Sequence, residues 1–231
     1  MSEKNSVRGV FSGCGQIETL TYKDQAYQLL KEAVLYQKFE PDAIYSQDAL
    51  CQELGISRTP VREALLELQK EGYVRFCRGK GIQIISLDQD AIHDILEMRL
   101  YLEKVTAELA AKRATEEDLA AIADCLAQQQ NNPEPDNIDL CYRLDHRFHR
   151  AIATAAHNER LYQMLDSTLD HYLRFEMLSI YKTYAGTTAI LGEHALLYKA
   201  ILRHDPEMAV GALDAHLQHS YKRTLGQYWV G

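Results

Sequence analysis

The sequence lacks paired cysteines, a long apolar run and an overall excess of positive charge. Its five cysteines are scattered without a CxxC pair, which argues against a disulfide scaffold or a thiolate zinc site and fits a reducing cytoplasm. No apolar run approaches the ~20 residues that a membrane-spanning helix needs. The first 15 residues lack the apolar centre of a secretory signal. We therefore expect a cytoplasmic protein that is neither secreted nor inserted in a membrane.

Charge is unevenly distributed along the 231 residues. The formal net charge is −8, yet residues 58–80 hold six basic side chains against three acidic ones. Residues 87–231 hold 14 basic against 22 acidic side chains, together with all nine histidines. Hydrophobic residues make up 46% of the chain, which is enough for sizeable cores. The chemical difference between the two parts favours two domains.

The part of the chain before residue 87 is predicted to contain three helices and a β-hairpin. Apolar residues recur at helical spacing in residues 21–37, and a short helix over residues 47–53 is stopped by Gly55. A third amphipathic helix follows the short turn and ends at Gly72. Apolar alternation on both sides of the turn RGKG predicts the hairpin. Two helices joined by a short turn and followed by a hairpin are typical of a winged helix-turn-helix.

The part of the chain after residue 87 is predicted to be helical throughout. Thr115, Asn158 and Asp205 are suitable helix caps. The predicted helices cover residues 89–113, 116–130, 139–156, 158–181, 187–203 and 206–228. The expected fold is therefore mainly α, with an N-terminal winged helix-turn-helix followed by an all-helical bundle. The expected domains are a flexible arm (residues 1–17), the winged helix-turn-helix (18–86) and the bundle (87–231).

Four segments of the sequence resemble a known protein family. The string ELGISRTPVREALLELQKEGYV, residues 53–74, is similar to the DNA-binding domain of GntR-family bacterial transcription regulators. Three later segments resemble the helical FCD effector domain of the FadR-type branch: EMRLYLEKVTAELAAKRATEEDL (97–119), DHRFHRAI (145–152) and GEHALLYKAI (192–201). The resemblance implies a homodimer on a pseudo-palindromic double-stranded DNA operator. It also implies control by a small organic acid, most often by release of a repressor from DNA.

The start of the third helix is predicted to contact DNA. Arg58 and Arg62 are four residues apart and lie on one face, where the helix dipole favours phosphate. One arginine would reach a guanine edge and the other a phosphate, and the sequence leaves their order open. Hydroxyl groups beside them cap the helix or donate to phosphate, and the hairpin tip reaches the adjacent backbone or minor groove. The expected DNA-binding residues are Ser57, Arg58, Thr59, Arg62, Arg78 and Lys80. Solvated surface charge is the alternative interpretation.

One position departs from the family pattern. Family members commonly have an acidic residue followed by arginine in the second helix, whereas this chain has Gln47 and Asp48. We therefore expect a phosphate-contacting arginine to be missing, with consequences for affinity and operator choice.

A metal site is predicted in the helical bundle. Asp145 and His149 are four residues apart on one helix, so they lie on the same face, while His194 and His216 lie in two other helices. Imidazole and carboxylate suit Zn²⁺, Ni²⁺, Mn²⁺ or Fe²⁺, with Zn²⁺ first among them. From spacing alone the metal signal is weak, because a single histidine on an amphipathic helix is more often a surface or satisfied core residue. The four positions, however, match the metal ligands of FCD domains. The other histidines are left as surface or pocket residues: His93, His146, His157, His171, His204 and His219.

Arg99 matches a position that faces the effector pocket in the family, so we expect it to bind the carboxylate effector. A structural ion pair with Glu103 is the alternative. A helical metallohydrolase is the rival function, although no HExxH run supplies a general base. A bundle that only dimerises and binds no ligand is the third interpretation.

Overall fold

The structure is a computed structural model that describes residues 20–132, 137–176 and 184–228. The described residues divide into two units. The first contains the described residues up to Glu32 together with Ala43–Ile84, and the second contains Ala33–Asp42 and the described residues from Ile85 onward. The expected N-terminal arm, residues 1–17, lies outside the described residues.

The first unit contains three helices and a small sheet. Ser46 caps the second helix through its side chain, and Gly55 ends that helix in the left-handed conformation that favours glycine. The elements are α1 (Tyr22–Leu35), whose last three residues are assigned to the second unit, β1 (Ile44–Tyr45), α2 (Gln47–Leu54), α3 (Arg58–Lys70), β2 (Val74–Cys77) and β3 (Gly81–Ile84). The predicted winged helix-turn-helix is confirmed.

The sheet of the first unit is antiparallel, with strand order β1-β3-β2. Val74 is opposite Ile84 in the predicted hairpin, and Ile44 in β1 is opposite Gln83. Strand β1 was not predicted, because its two residues are too few to show an alternating pattern. Apolar side chains of α3 and of the sheet are buried and form the core that holds α3 in place: Val61, Ala64, Leu65, Leu68, Val74, Ile82 and Ile84.

The second unit is a bundle of six helices within the described residues. The first helix is capped by Asp88, and Thr115 and Asp118 form a reciprocal capping box at the second. The helices are α4 (Gln89–Arg113), α5 (Glu116–Asn131), α6 (Ile138–Ala155), α7 (Glu159–Glu176), α8 (Tyr184–Leu202) and α9 (Pro206–Tyr228). The predicted bounds agree closely for α4, α5, α6 and α9. Helix α8 begins three residues earlier than predicted, and the predicted end of α7 falls outside the described residues.

Helix α4 runs through the centre of the bundle and packs against α6, α7, α8 and α9. Small residues of α4, such as Ala107 and Ala110, allow close approach to Phe148 on α6 and Leu217 on α9. This packing brings one face of α6, α8 and α9 together beside α4. Within the described ranges, no helix combines the length and the apolar character that a membrane crossing requires.

Candidate nucleic-acid interface and buried histidine cluster

Four cationic side chains of the first unit meet at one open cleft. Arg58 is the first residue of α3 and Arg62 lies one turn further on, so both project from the same face of the helix. Arg78 and Lys80 come from the turn between β2 and β3 and line the same cleft. All four side chains are exposed, and 77% of the Arg58 side chain is accessible to solvent. The cleft therefore presents a concentrated positive charge on an acidic protein.

The other predicted DNA-binding residues lie beside this cleft. Ser57 occupies the N-cap position of α3 but makes no capping hydrogen bond through its side chain. Thr59 follows in the first turn, and both residues are exposed without lining the cleft. Arg62 lies 5.8 Å from the centre of the Phe76 ring, a cation–π contact that links α3 to the hairpin. The first turn of α3 is thus accessible along one side, next to the hairpin.

Three buried histidines converge in the second unit, one each from α6, α8 and α9. Ring centroids of His149, His194 and His216 lie 4.6 to 5.2 Å apart, and a nitrogen from each lies within 4.8 Å of the other two. Asp145 adds a carboxylate, with Oδ1 3.5 Å from His194 Nε2 and Oδ2 3.7 Å from His149 Nε2. The structure therefore brings together all four residues predicted as metal ligands.

A polar side chain lies behind each of the three histidines. Glu103 Oε2 lies 2.5 Å from His149 Nδ1, and His216 Nδ1 donates to Glu193 Oε2 at 2.9 Å. Gln129 donates from its amide nitrogen to the backbone oxygen of Leu144, so its oxygen accepts from His194 Nδ1 at 2.8 Å. A proton on Nδ1 leaves a lone pair on Nε2 of His194 and His216, directed into the cluster.

The electrostatics of the cluster suit a divalent metal ion. Burial lowers the pKa of His194 and His216, so both rings are neutral at neutral pH, the form that binds metal. Burial alone would raise the pKa of Asp145, but the surrounding cationic and imidazole groups outweigh it and hold the pKa below its ordinary value. The Nε2 atoms of His194 and His216 are buried and have no hydrogen-bond partner among the described residues. Three nitrogens and one carboxylate therefore fit a metal ion.

Arg99 lies in a buried ionic network next to this cluster. Its Nε donates to Glu103 at 2.5 Å, its guanidinium lies over the Tyr172 ring, and Nη2 lies 3.3 Å from His149 Nε2. The ion pair with Glu103, stated above as the alternative for Arg99, is thus present. Nη1 lies 3.7 Å from Glu176 and has no hydrogen-bond partner among the described residues.

Comparison with known proteins identifies both units. The profile described as "Bacterial regulatory proteins, gntR family" matches residues 22–84, and the FCD domain matches residues 94–219, more than half of the chain. The Glc operon transcriptional activator of Escherichia coli (strain K12) is 31% identical over 195 residues, which cover 75% of this chain and 76% of the relative. The chain belongs to the GntR family.

Two further comparisons agree with this assignment. The HTH-type transcriptional regulator YdhC of Bacillus subtilis (strain 168) is 28% identical over 202 residues, covering 86% of this chain and 88% of the relative. The structure of E. coli McbR/YncC has the same fold, with a TM-score of 0.81 at 22% identity, and covers 91% of this chain and 100% of that one. This GntR protein is a DNA-binding transcription regulator with an FCD effector domain, and its relatives argue against the hydrolase alternative.

Several residues of the GntR regulator's buried network were missed by sequence reasoning. His146 is predicted to be a surface or pocket residue and is in fact buried, with its Nε2 2.7 Å from Glu176. Glu193 directly precedes His194, and that adjacency is the only local signal that pointed to it. Gln129 and Glu176 carry no local signal, because their roles depend on how α5 and α7 pack.

Proposed function

We propose that this GntR regulator is a cytoplasmic, homodimeric repressor whose DNA binding is controlled by a small organic acid bound beside a metal ion. The observation that carries the proposal is the buried set of His149, His194 and His216 with Asp145, in which Nε2 of His194 and Nε2 of His216 have no hydrogen-bond partner among the described residues. A buried polar atom without a partner is costly unless a ligand satisfies it. We assign residues 18–86 to DNA binding and residues 87–231 to metal, effector and dimer contacts.

The metal would be held by Asp145 and by the Nε2 atoms of the three histidines, with Zn²⁺ the first choice for this donor set. His149 Nε2 accepts a hydrogen bond from Arg99 Nη2, and it would give up that bond to bind the metal. When bound, the ion would supply a Lewis-acidic position for an effector carboxylate. The chain's own contribution is to hold the rings: Gln129 and Glu193 accept hydrogen bonds from Nδ1 of His194 and His216, and the Glu103 carboxylate lies against Nδ1 of His149. Because these anchors come from α4, α5 and α8, the site connects most of the bundle.

Arg99 would bind a carboxylate of the effector. Its Nη1 has no hydrogen-bond partner among the described residues, and the guanidinium presents planar donors that match carboxylate oxygens. Burial alone would lower the pKa of Arg99, but Glu103 and the groups around it keep that pKa well above its ordinary value, so the side chain stays charged. An effector that favours one arrangement of the dimer would change DNA affinity through residues 87–90.

A second copy of this chain would cover an exposed apolar stripe on α4. Met98, Tyr101 and Val105 are exposed at spacings of three and four residues and so share one face of the helix. In an antiparallel pair of α4 helices with Tyr101 opposite Val105, Asp94 of one copy would face Lys112 of the other. Lys112 lies 2.5 Å from Glu108 of its own helix, so it would share its charge between Glu108 and the facing Asp94.

The test is a mobility-shift titration of the full-length protein on the promoter DNA of its own gene. The protein is assayed with Zn²⁺ and after chelation, each with a panel of small mono- and dicarboxylates. We expect a sequence-selective shift that one acid abolishes only in the Zn²⁺-loaded protein. A folded dimer with no selective shift would contradict operator binding. A selective shift that neither an acid nor a chelator changes would contradict control by a metabolite and a metal, but it would leave operator binding supported.

A further inference from the structure

Asp48 places a carboxylate in the cationic cleft of the first unit. It is the single acidic residue among the described side chains that line the cleft with Arg58, Arg62, Arg78 and Lys80. Its Oδ2 lies 2.7 Å from Arg58 Nη2, across the turn between α2 and α3. Asp48, which stands where family members commonly have arginine, therefore contacts Arg58, one of the two arginines expected to reach DNA.

The Asp48–Arg58 pair is too exposed to be explained by stability. The two side chains are 56% and 77% exposed, and ion pairs in such positions contribute little to folding. Asp48 also lies in the first turn of α2, where an acid is favourable but any of several residues serves. The main effect of the Asp48–Arg58 pair is therefore to hold the Arg58 guanidinium in place and to offset its charge.

A carboxylate in this place restricts how DNA can enter the cleft. It repels phosphate oxygens, and as an ionised group it only accepts hydrogen bonds. The donors that a duplex offers in the major groove are the amino groups of cytosine and adenine. Asp48 therefore opposes a phosphate near Arg58 and tolerates a base edge with an amino group.

We propose that Asp48 is a specificity-determining residue that restrains Arg58 and lowers affinity for DNA of arbitrary sequence. Held by Asp48, the Arg58 guanidinium is less available to neutralise a phosphate, and the cleft keeps an acceptor that discriminates between base edges. The proposal rests on the proposed entry of DNA into this cleft. Its consequence is that weaker binding to arbitrary DNA accompanies stronger discrimination between sequences.

The experiment compares Asp48→Asn and Asp48→Ala with the wild-type full-length protein. The probes are a 30-base-pair duplex selected by the wild type from a random pool and a duplex of the same composition in scrambled order. We expect about fivefold tighter binding of the scrambled duplex and a loss of about fivefold in discrimination. We also expect the slope of log affinity against log salt to steepen by about 1, as for one extra phosphate contact. Glu53→Gln is the matched control, because it makes the same charge change on exposed α2 surface outside the cleft.

Arg58→Ala, alone and combined with Asp48→Asn, separates a local effect from a general change in charge. We expect Asp48→Asn to raise the scrambled-duplex affinity of the Arg58→Ala protein by clearly less than it raises that of the wild type, because only the direct repulsion of phosphate by Asp48 is then relieved. An equal effect of Asp48→Asn and Glu53→Gln, or unchanged discrimination in both Asp48 variants, would overturn the proposal. If Arg58→Ala and Arg62→Ala also bind both duplexes like the wild type, the cleft itself is not the DNA site, and the proposed function fails with it. Circular dichroism confirms that each variant is folded.

Discussion

Glu193 shows how one side chain can organise the buried cluster. Its carboxylate accepts hydrogen bonds from His216, from His219 and from both terminal nitrogens of Arg223. Burial alone would raise the pKa of Glu193, but these donors outweigh it and lower the pKa to about 2. Glu193 is therefore a fixed anion at neutral pH. It determines which nitrogen of His216 carries the proton and which faces the cluster.

His216 and His219 provide a matched test of the proposed metal site at the scale of one residue. Both donate to Glu193, but only His216 is buried in the cluster, whereas His219 is exposed. We expect Zn²⁺ to raise the thermal unfolding midpoint of the wild type by several degrees. This corresponds to about 2.7 kcal/mol when free ion is at 100 times its Kd. His216→Ala should lose most of that rise and His219→Ala should keep it.

The measurement is a thermal-shift titration with Zn²⁺, paired with elemental analysis of the dialysed proteins. His216→Ala is expected to retain clearly less metal per chain than His219→Ala. Equal metal content and equal midpoint shifts in the two variants would argue against the cluster as the metal site.

Arg62 and Arg75 provide the corresponding test of the cationic cleft as the proposed DNA contact. Arg62 lines the cleft, whereas Arg75 lies on β2, outside the cleft lining, and donates to Gln83. We expect Arg62→Ala to weaken binding to a selected duplex by about 10- to 100-fold, or ~1–3 kcal/mol. Arg75→Ala removes the same charge and should weaken it by less than about threefold. Fluorescence anisotropy at fixed salt measures both, and equal losses would count against the cleft as the contact surface.

Strand β1 makes the hairpin part of a three-stranded sheet, and Gly81 is the position that permits it. Gly81 has a φ of +125°, and a Cβ there would lie 2.1 Å from the backbone oxygen of Tyr45 in β1. We expect Gly81→Ala to destabilise the first unit by about 3 kcal/mol and to weaken DNA binding, because β1 and β3 must separate. Gly79→Ala is the control. It has a positive φ but open space, so a cost of about 1–2 kcal/mol is expected.

Urea unfolding followed by circular dichroism measures both glycine variants. A Gly81→Ala protein as stable as Gly79→Ala would show that the sheet tolerates the added methyl group. In that case, the pairing of β1 with β3 would not determine where the hairpin tip lies.

The sequence predicts the helices of this protein well because their signals are local. The Thr115 cap and the apolar spacing of α4 lie within the elements that they specify. Strand β1 has two residues, too few to show an alternating pattern. Its pairing depends on β3, about 40 residues further along the chain. The bounds of long elements are therefore predictable, whereas a short strand is determined by its tertiary partner.

The candidate site was predictable only where its residues share one helix or match a family pattern. Asp145 and His149 are one turn apart, and this spacing alone places them together. His194 and His216 were assigned through the family resemblance. Gln129 takes its role from how α5 packs, and Asp48 pairs with a residue ten positions away across a turn. Contacts of this kind depend on helix rotation and turn geometry, which have no periodic signature in the sequence.

At the scale of the whole molecule, net charge and local charge act in opposite directions. A protein with a formal charge of −8 is repelled by DNA at long range, while the cationic cleft attracts phosphate at short range. In a dimer, binding of one cleft to an operator would hold the second cleft close to the other half-site. The second contact would then form at a high effective concentration, which raises the overall affinity. Dimer formation should therefore matter strongly for DNA binding by this protein.

The α4 stripe gives the last test, because a charge placed there should separate the proposed dimer. Tyr101 is 62% exposed at the centre of the stripe. We expect Tyr101→Arg to shift the protein from dimer to monomer at micromolar concentration, measured by sedimentation equilibrium. Burying an unpaired guanidinium in an apolar contact is strongly unfavourable. Affinity for a two-half-site operator should fall by at least tenfold, while affinity for a single half-site should stay within about twofold.

Leu196→Arg is the matched control for this change. Leu196 lies on α8 and is 54% exposed, so the substitution adds the same charge to the bundle in place of another exposed apolar side chain. It should leave the dimer and its operator affinity intact. If Tyr101→Arg sediments as the wild type does, the α4 stripe is not the dimer contact. If both variants dissociate equally, added positive charge rather than the stripe is responsible. Only dissociation confined to Tyr101→Arg supports a second copy of the chain on α4.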